Sequence, residues 1–196
     1  MPNWCYTNIT ICHKERHKLE ELVELLFLWT SKEYRHSDFG TSWLGNIVLG
    51  SKVGTVAENK STDLTCRGSI IDFNLNDDGL NVTTETAWNP TMELWVKLLE
   101  KYLPDADIKF ETEESGMGIY ATNKLKQVGT YHVDSWTSEV ESIWAASSEE
   151  LVDILQTVLD SKENCIDKLL LLLHENALND YICINKWKYA SVYDFC

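Results

Sequence analysis

The feature that most constrains this chain is a change of hydrophobic period near its start, repeated further along. Residues 3–12 alternate, with Cys5, Thr7, Ile9 and Ile11 on one side and Tyr6, Asn8 and Thr10 on the other. Such a period of two is that of a strand with one buried face. From residue 14 the period lengthens. Leu19, Leu22, Val23, Leu26 and Trp29 form one helical stripe over 14–29, while Lys14, Glu15, Lys18, Glu21 and Glu24 mostly occupy the other side. A strand at 66–76, with Ile71, Phe73 and Leu75 on one side, runs through the turn Asn76-Asp77-Asp78-Gly79 into a hairpin partner carrying Leu80, Val82 and Thr84. Asn89-Pro90 then predicts a helix start, with Asn89 as cap, Glu93 in the first turn, and Trp95, Leu98, Leu99 and Tyr102 as the buried stripe. Alternation returns at 107–114, with Ile108 and Phe110 inward, followed by strands at 117–123 and 130–134.

This order, strand–helix–strand–strand–helix–strand, predicts an α+β fold: a ferredoxin-like antiparallel sheet. The strand at 3–12 should be central, and both helices should pack on one face. Between the first helix and the second strand lies a long insertion, 30–64, rich in Ser, Gly, Thr and Asn. Its one apolar patch, Trp43 to Leu49, predicts a short helix. The last third reads differently. Ser147 and Glu150 form a capping box ahead of a helix with Leu151, Ile154, Leu155 and Val158. A second helix carries Ile166, Leu169, Leu170 and Leu173, and a strand follows at 180–189. The division expected is 1–134 for the ferredoxin-like domain, insertion 30–64 included. Residues 135–196 form a C-terminal helix-and-strand extension packed on it, whose removal should expose a large apolar patch.

Charge narrows the partners. The formal net charge is −14, with seventeen basic and thirty-one acidic residues. A surface of that sign repels phosphate backbones, so nucleic-acid binding is disfavoured and a basic protein partner is the sharper alternative to plain solubility. No apolar run approaches the length of a membrane span, and the opening Met1-Pro2-Asn3-Trp4 carries neither a basic stretch nor an apolar signal segment, so a cytoplasmic protein is expected. The six cysteines show no C-x-x-C spacing and are expected reduced.

Several segments resemble one family. Pro2-Asn3-Trp4-Cys5, Arg67-Gly68-Ser69-Ile70, Thr84-Glu85-Thr86-Ala87-Trp88-Asn89-Pro90 and the acidic hairpin Glu113-Glu114-Ser115-Gly116-Met117-Gly118-Ile119-Tyr120-Ala121-Thr122-Asn123 are similar to the YubB-like ferredoxin-like domain family. The resemblance covers roughly residues 1–134, leaving out 30–64. It implies a fold and an origin in phages, plasmids or conjugative elements, and with that a bacterial host cell. It implies no activity and brings no catalytic residues.

Motifs for chemistry are sparse. His13 and His17 have helical spacing, yet H-E-x-x-H is absent and no third ligand is evident, so two surface histidines and no metal are expected. No nucleophile elbow, phosphate loop or dinucleotide fingerprint occurs, and no catalytic residue or cofactor is assigned. A carboxylate pair near Glu85 and Glu114 is the alternative, for a small-ligand binder or hydrolytic enzyme. Trp4 and Tyr6 could serve RNA stacking from a sheet, but the basic RNP pattern is missing. Of the eight tryptophans, Trp29 and Trp95 sit on buried stripes, while Trp43, Trp88 and Trp136 fall in loops or at strand ends, where exposure would make them protein-binding anchors. The reading is a non-enzymatic, protein-binding accessory factor of a mobile element, for example an inhibitor of a host protein. Trp43, Trp88, Glu85, Glu113 and Glu114 are its candidate binding residues.

Overall fold

The structure is a computed structural model that describes residues 3–33, 39–56, 64–135, 143–176 and 182–196. The chain forms two compact units. The first comprises residues 1–124 together with 190–196, and the second residues 125–189. Five α-helices and two sheets occur among the described residues, so the α+β class holds. No helix among them is long and apolar enough to cross a membrane.

In the first unit, β1 (Trp4–Cys12), β2 (Gly68–Asn76), β3 (Gly79–Ala87), β4 (Asp107–Glu114) and β5 (Ile119–Thr122) run in the order β2-β3-β1-β4-β5. Each neighbouring pair is antiparallel, and β1 sits between β3 and β4, the central place expected of it. Ile9 and Ile11 of β1, Leu80 and Val82 of β3 and Phe110 of β4 are buried on one face. They share a core with the stripes of α1 (Arg16–Trp29) and α3 (Met92–Tyr102). These stripes are Leu19, Leu22, Leu26 and Trp29, and Leu94, Trp95, Leu98 and Leu99. The 76–79 turn forms as the sequence indicates. Gly79 adopts a φ of 137° and lies so close to the Ile11 carbonyl that a side chain there would collide with it.

Three local expectations change. The pairing of β2 with β3 shifts register between Ile70 and Asp72. Ile70, not Ile71, therefore enters the core, and Ile71 is exposed. Asn89 does not cap α3: the helix begins two residues after Pro90 with Thr91 at its N-cap, while the Asn89 carbonyl accepts from the Thr86 hydroxyl at 2.7 Å. The apolar patch of the insertion forms α2 (Leu44–Ser51), whose Leu44, Ile47 and Val48 are fully buried in the main core, so this part of 30–64 is core, with 34–38 and 57–63 outside the described residues. Residues 190–196 also complete this unit. The Ala190 N–H donates to the Thr122 carbonyl, Val192 is buried, and Phe195 meets Phe110 edge-on at 5.9 Å.

The second unit has its own core. β6 (Tyr131–Ser135) is central between β7 (Ile143–Ala145) and β8 (Ile182–Lys186), both antiparallel to it. α4 (Ser148–Leu159) and α5 (Ile166–Glu175) bury Leu151, Leu155, Leu169 and Leu173 against each other and against Tyr131, Val133, Ala145 and Ile182. This is the docking of the two tail helices that their apolar stripes demand. The capping serine is in place, with the Glu150 N–H donating to the Ser147 hydroxyl at 3.2 Å. The strand at 131–135 belongs to this unit, which therefore starts ten residues earlier than 135 and ends at Tyr189, seven residues before Cys196.

Candidate protein-binding face

Alternation on β1 builds the site. The side chains that do not enter the core emerge on the opposite face of the sheet, where Trp4 is 45% and Tyr6 46% exposed. Cross-strand register then places specific neighbours beside each. Tyr6 lies opposite Glu85 of β3 on one side and Glu113 of β4 on the other, and Ser69 of β2 lies opposite Glu85. The row therefore reads Ser69–Glu85–Tyr6–Glu113. The Tyr6 phenol donates a hydrogen bond to the Glu85 carboxylate. That bond and the Glu85 charge hold its ionisation above the ordinary tyrosine range, with Glu113 adding a smaller push in the same direction. No salt bridge among the described residues involves Glu85.

The next row is polar and internally paired. The Thr83 hydroxyl donates to Asn8 Oδ1 at 2.9 Å, Asn8 Nδ2 donates to Glu111 Oε1 at 3.2 Å, and Lys124 Nζ meets Glu111 Oε2 at 3.1 Å. Glu111 is thus largely compensated locally. At the other end of β1, Trp4 pairs with Ala87. The following residue, Trp88, is 41% exposed and held at φ 75° by its N–H bond to the Asn3 carbonyl at 2.9 Å. A bulky residue in the left-handed region is strained.

The candidate residues separate into two groups. Glu85, Glu113 and Trp88 join Tyr6 and Trp4 on or beside the exposed face. Glu114 and Trp43 do not. Glu114 is one position on from Glu113, so it turns to the core face, is 3% exposed, and accepts from the Gly116 and Met117 N–H groups to fasten the β4–β5 turn. Glu85 and Glu114 therefore lie on opposite faces of the sheet and do not form a carboxylate pair. Trp43 is buried at the N-cap of α2. Its Nε1 donates to the Cys66 carbonyl at 2.7 Å, and its ring stacks on Phe39 at 4.6 Å and packs over Gly45. Trp136 lies outside the described residues. Trp29 and Trp95 are core, as their stripes predict.

The two histidines beside α1 are engaged locally. His13 Nδ1 accepts from the Glu15 N–H at 3.0 Å and His17 Nε2 lies 3.8 Å from Glu15 Oε2. Among the described residues no group of three metal-ligating side chains is placed to hold an ion. The buried thiols are not activated: burial pushes Cys66 up to about 12, and burial likewise raises Cys5, whose sulfur sits 3.1 Å from the Thr112 hydroxyl. Tyr6 is the residue that sequence reasoning undervalued. Its position on the outward phase of β1 was the available signal, but the two carboxylates beside it depend on register.

No family model, no curated protein and no solved structure matches this chain.

Proposed function

We propose that this chain is a non-enzymatic protein-binding factor of a mobile genetic element, acting in the cytoplasm of a bacterial host through the exposed face of its main sheet. The observation that carries the reading is the Glu85–Tyr6–Glu113 row with Trp4 and Trp88 beside it. Exposed aromatic rings supply contact area at low entropic cost, and flanking carboxylates select basic side chains. Arginine suits such a surface, since its guanidinium stacks on an aromatic ring while bonding a carboxylate. The overall charge of −14 draws in the same class of partner, a host protein with a basic surface, for example one that binds DNA.

The order β2-β3-β1-β4, with α1 and α3 sharing one core face, supports a ferredoxin-like reading of the first unit, and with it the resemblance to the YubB-like family. That α2 and residues 190–196 also enter the same core makes it an elaborated version of that plan.

The test is site-specific photocrosslinking in host cells. A crosslinking residue at Tyr6 or Trp88 should capture a defined partner, and Tyr6→Ala with Glu85→Gln should abolish it. Capture that survives those two substitutions, or that occurs equally from Leu171 on α5, would remove this face from consideration.

A further inference from the structure

The edge of the main sheet at β2 carries a pattern that the face described above does not use. β2 is the outermost strand on its side. Its start is closed by residues 42 and 43: the Ile70 N–H donates to the Ser42 carbonyl at 2.8 Å, and Trp43 bridges Ser69. From Asp72 to Asn76, among the described residues, only β3 pairs with it. Asn76 and Gly79 close a two-residue hairpin, so they exchange both backbone bonds. Alternation then turns the backbone N–H and C=O groups of Asp72 and Asn74 toward β3 and those of Phe73 and Leu75 outward. The side chains alternate too. Phe73 and Leu75 lean on the main core, while Asp72, Asn74 and Asn76 are exposed. On the core side, Phe27 of α1 packs on Phe73 with ring centroids 4.7 Å apart, yet Phe27 is 62% exposed.

We propose that this edge binds a second copy of the same chain, β2 against β2, antiparallel about a two-fold axis through Asn74. In that register Phe73 of each copy faces Leu75 of the other. Both are outward-bonding positions, so the two pairs exchange four N–H···O bonds. Asp72 faces Asn76 and Asn74 faces Asn74, so no like charges stand directly opposed. The alternatives are poorer. Centring on Phe73 draws the irregular Ile71 position into the ladder, and centring on Leu75 sets Phe73 against the turn at Asp77. The axis is perpendicular to the sheet, so the helix layers stay on one side and the exposed Phe27 rings come to lie near each other. The contact is small, and Glu24 stands one helical turn before Phe27, so the dimer is weak and tightens as salt screens the two acidic chains.

The experiment uses the full chain with the exposed Cys165 and Cys196 changed to Ser. Asn74 is exposed, so substituting it leaves the core intact. Asn74→Cys places two thiols opposite each other in a non-hydrogen-bonded pair, a separation that suits a disulfide. At raised salt it should form an intermolecular disulfide several-fold faster than Glu20→Cys. Light scattering of the otherwise unchanged chain should rise with concentration toward twice the mass of 22.5 kDa. Asn74→Asp, which opposes two carboxylates on the axis, should return it to monomer with its melting temperature unchanged. A chain that stays monomeric at every concentration and salt, an Asn74→Cys no faster than Glu20→Cys, or an Asn74→Asp that remains dimeric would each overturn the proposal.

Discussion

A single residue, Tyr6, shows how much a strand's register decides. The phase of β1 alone sends this side chain outward, which the alternation of residues 3–12 already indicates. What makes it a feature of interest is the pair of carboxylates from two other strands, which no local pattern records. The consequence is measurable by proton titration. Ionising the phenol breaks the hydrogen bond to Glu85 and adds a negative charge beside two others, so Tyr6 should titrate above the ordinary tyrosine range. Glu85→Gln should bring it back toward that range, and Glu113→Gln should do so by less. Following each tyrosine by NMR across alkaline pH checks the order, and a Tyr6 indifferent to Glu85 would dissolve the row as described. Glu114 teaches the converse lesson. It adjoins Glu113 in sequence, and nothing in composition distinguishes them, but a period of two places them on opposite faces of the sheet and gives one to solvent and one to a turn.

At the scale of elements, what the sequence made legible were the long periodic segments. The helices at 16–29, 148–159 and 166–175 follow from their apolar stripes, and the hairpin at 76–79 from its turn residues. The departures have local causes. The irregularity between Ile70 and Asp72 exchanges two adjacent isoleucines between core and solvent, and a run of Ile-Ile cannot say which is which. The Asn-Pro signal marked a turn, because the Thr86 hydroxyl claims the Asn89 carbonyl before the helix begins. The short patch at 44–51 read as a loop helix, yet it is one of the most completely buried parts of the core, since Leu44, Ile47 and Val48 line one side of it and even Gly45 and Asn46 are enclosed. One capping contact allows a direct check. Ser147 caps α4 through the Glu150 N–H, and the Glu150 carboxylate reaches back to the Ala146 N–H at 2.7 Å. Ser147→Ala should cost about 1 kcal/mol. That loss should appear in urea unfolding as a lower midpoint followed by a probe in the second unit, such as Trp144.

For the whole molecule, the division of the chain is not the one its composition suggests. Acidic residues accumulate after 104, and the change of pattern near 135 invites a cut there. The structure instead returns residues 190–196 to the first unit, where Ser191 forms a reciprocal cap with Asp194 and the Ala190 N–H bonds the Thr122 carbonyl. Long-range closure of this kind leaves no periodic trace in seven residues. It predicts that a chain ending at Lys124 is markedly less stable than one in which a short Gly-Ser linker replaces 125–189 and keeps 190–196. Thermal melts of the two should differ by several degrees, a loss of about 1–3 kcal/mol for the cover over Phe110. Equal melting temperatures would show that the last segment contributes nothing to that core. The same return sets an order of events during synthesis. The first unit begins at the start of the chain but needs residues that leave the ribosome only after all of 125–189 has been made. Throughout elongation of that stretch it exists as a sheet lacking its final piece, with the Thr122 carbonyl and the Phe110 ring waiting, and any partner or chaperone that meets the nascent chain meets it in that open form.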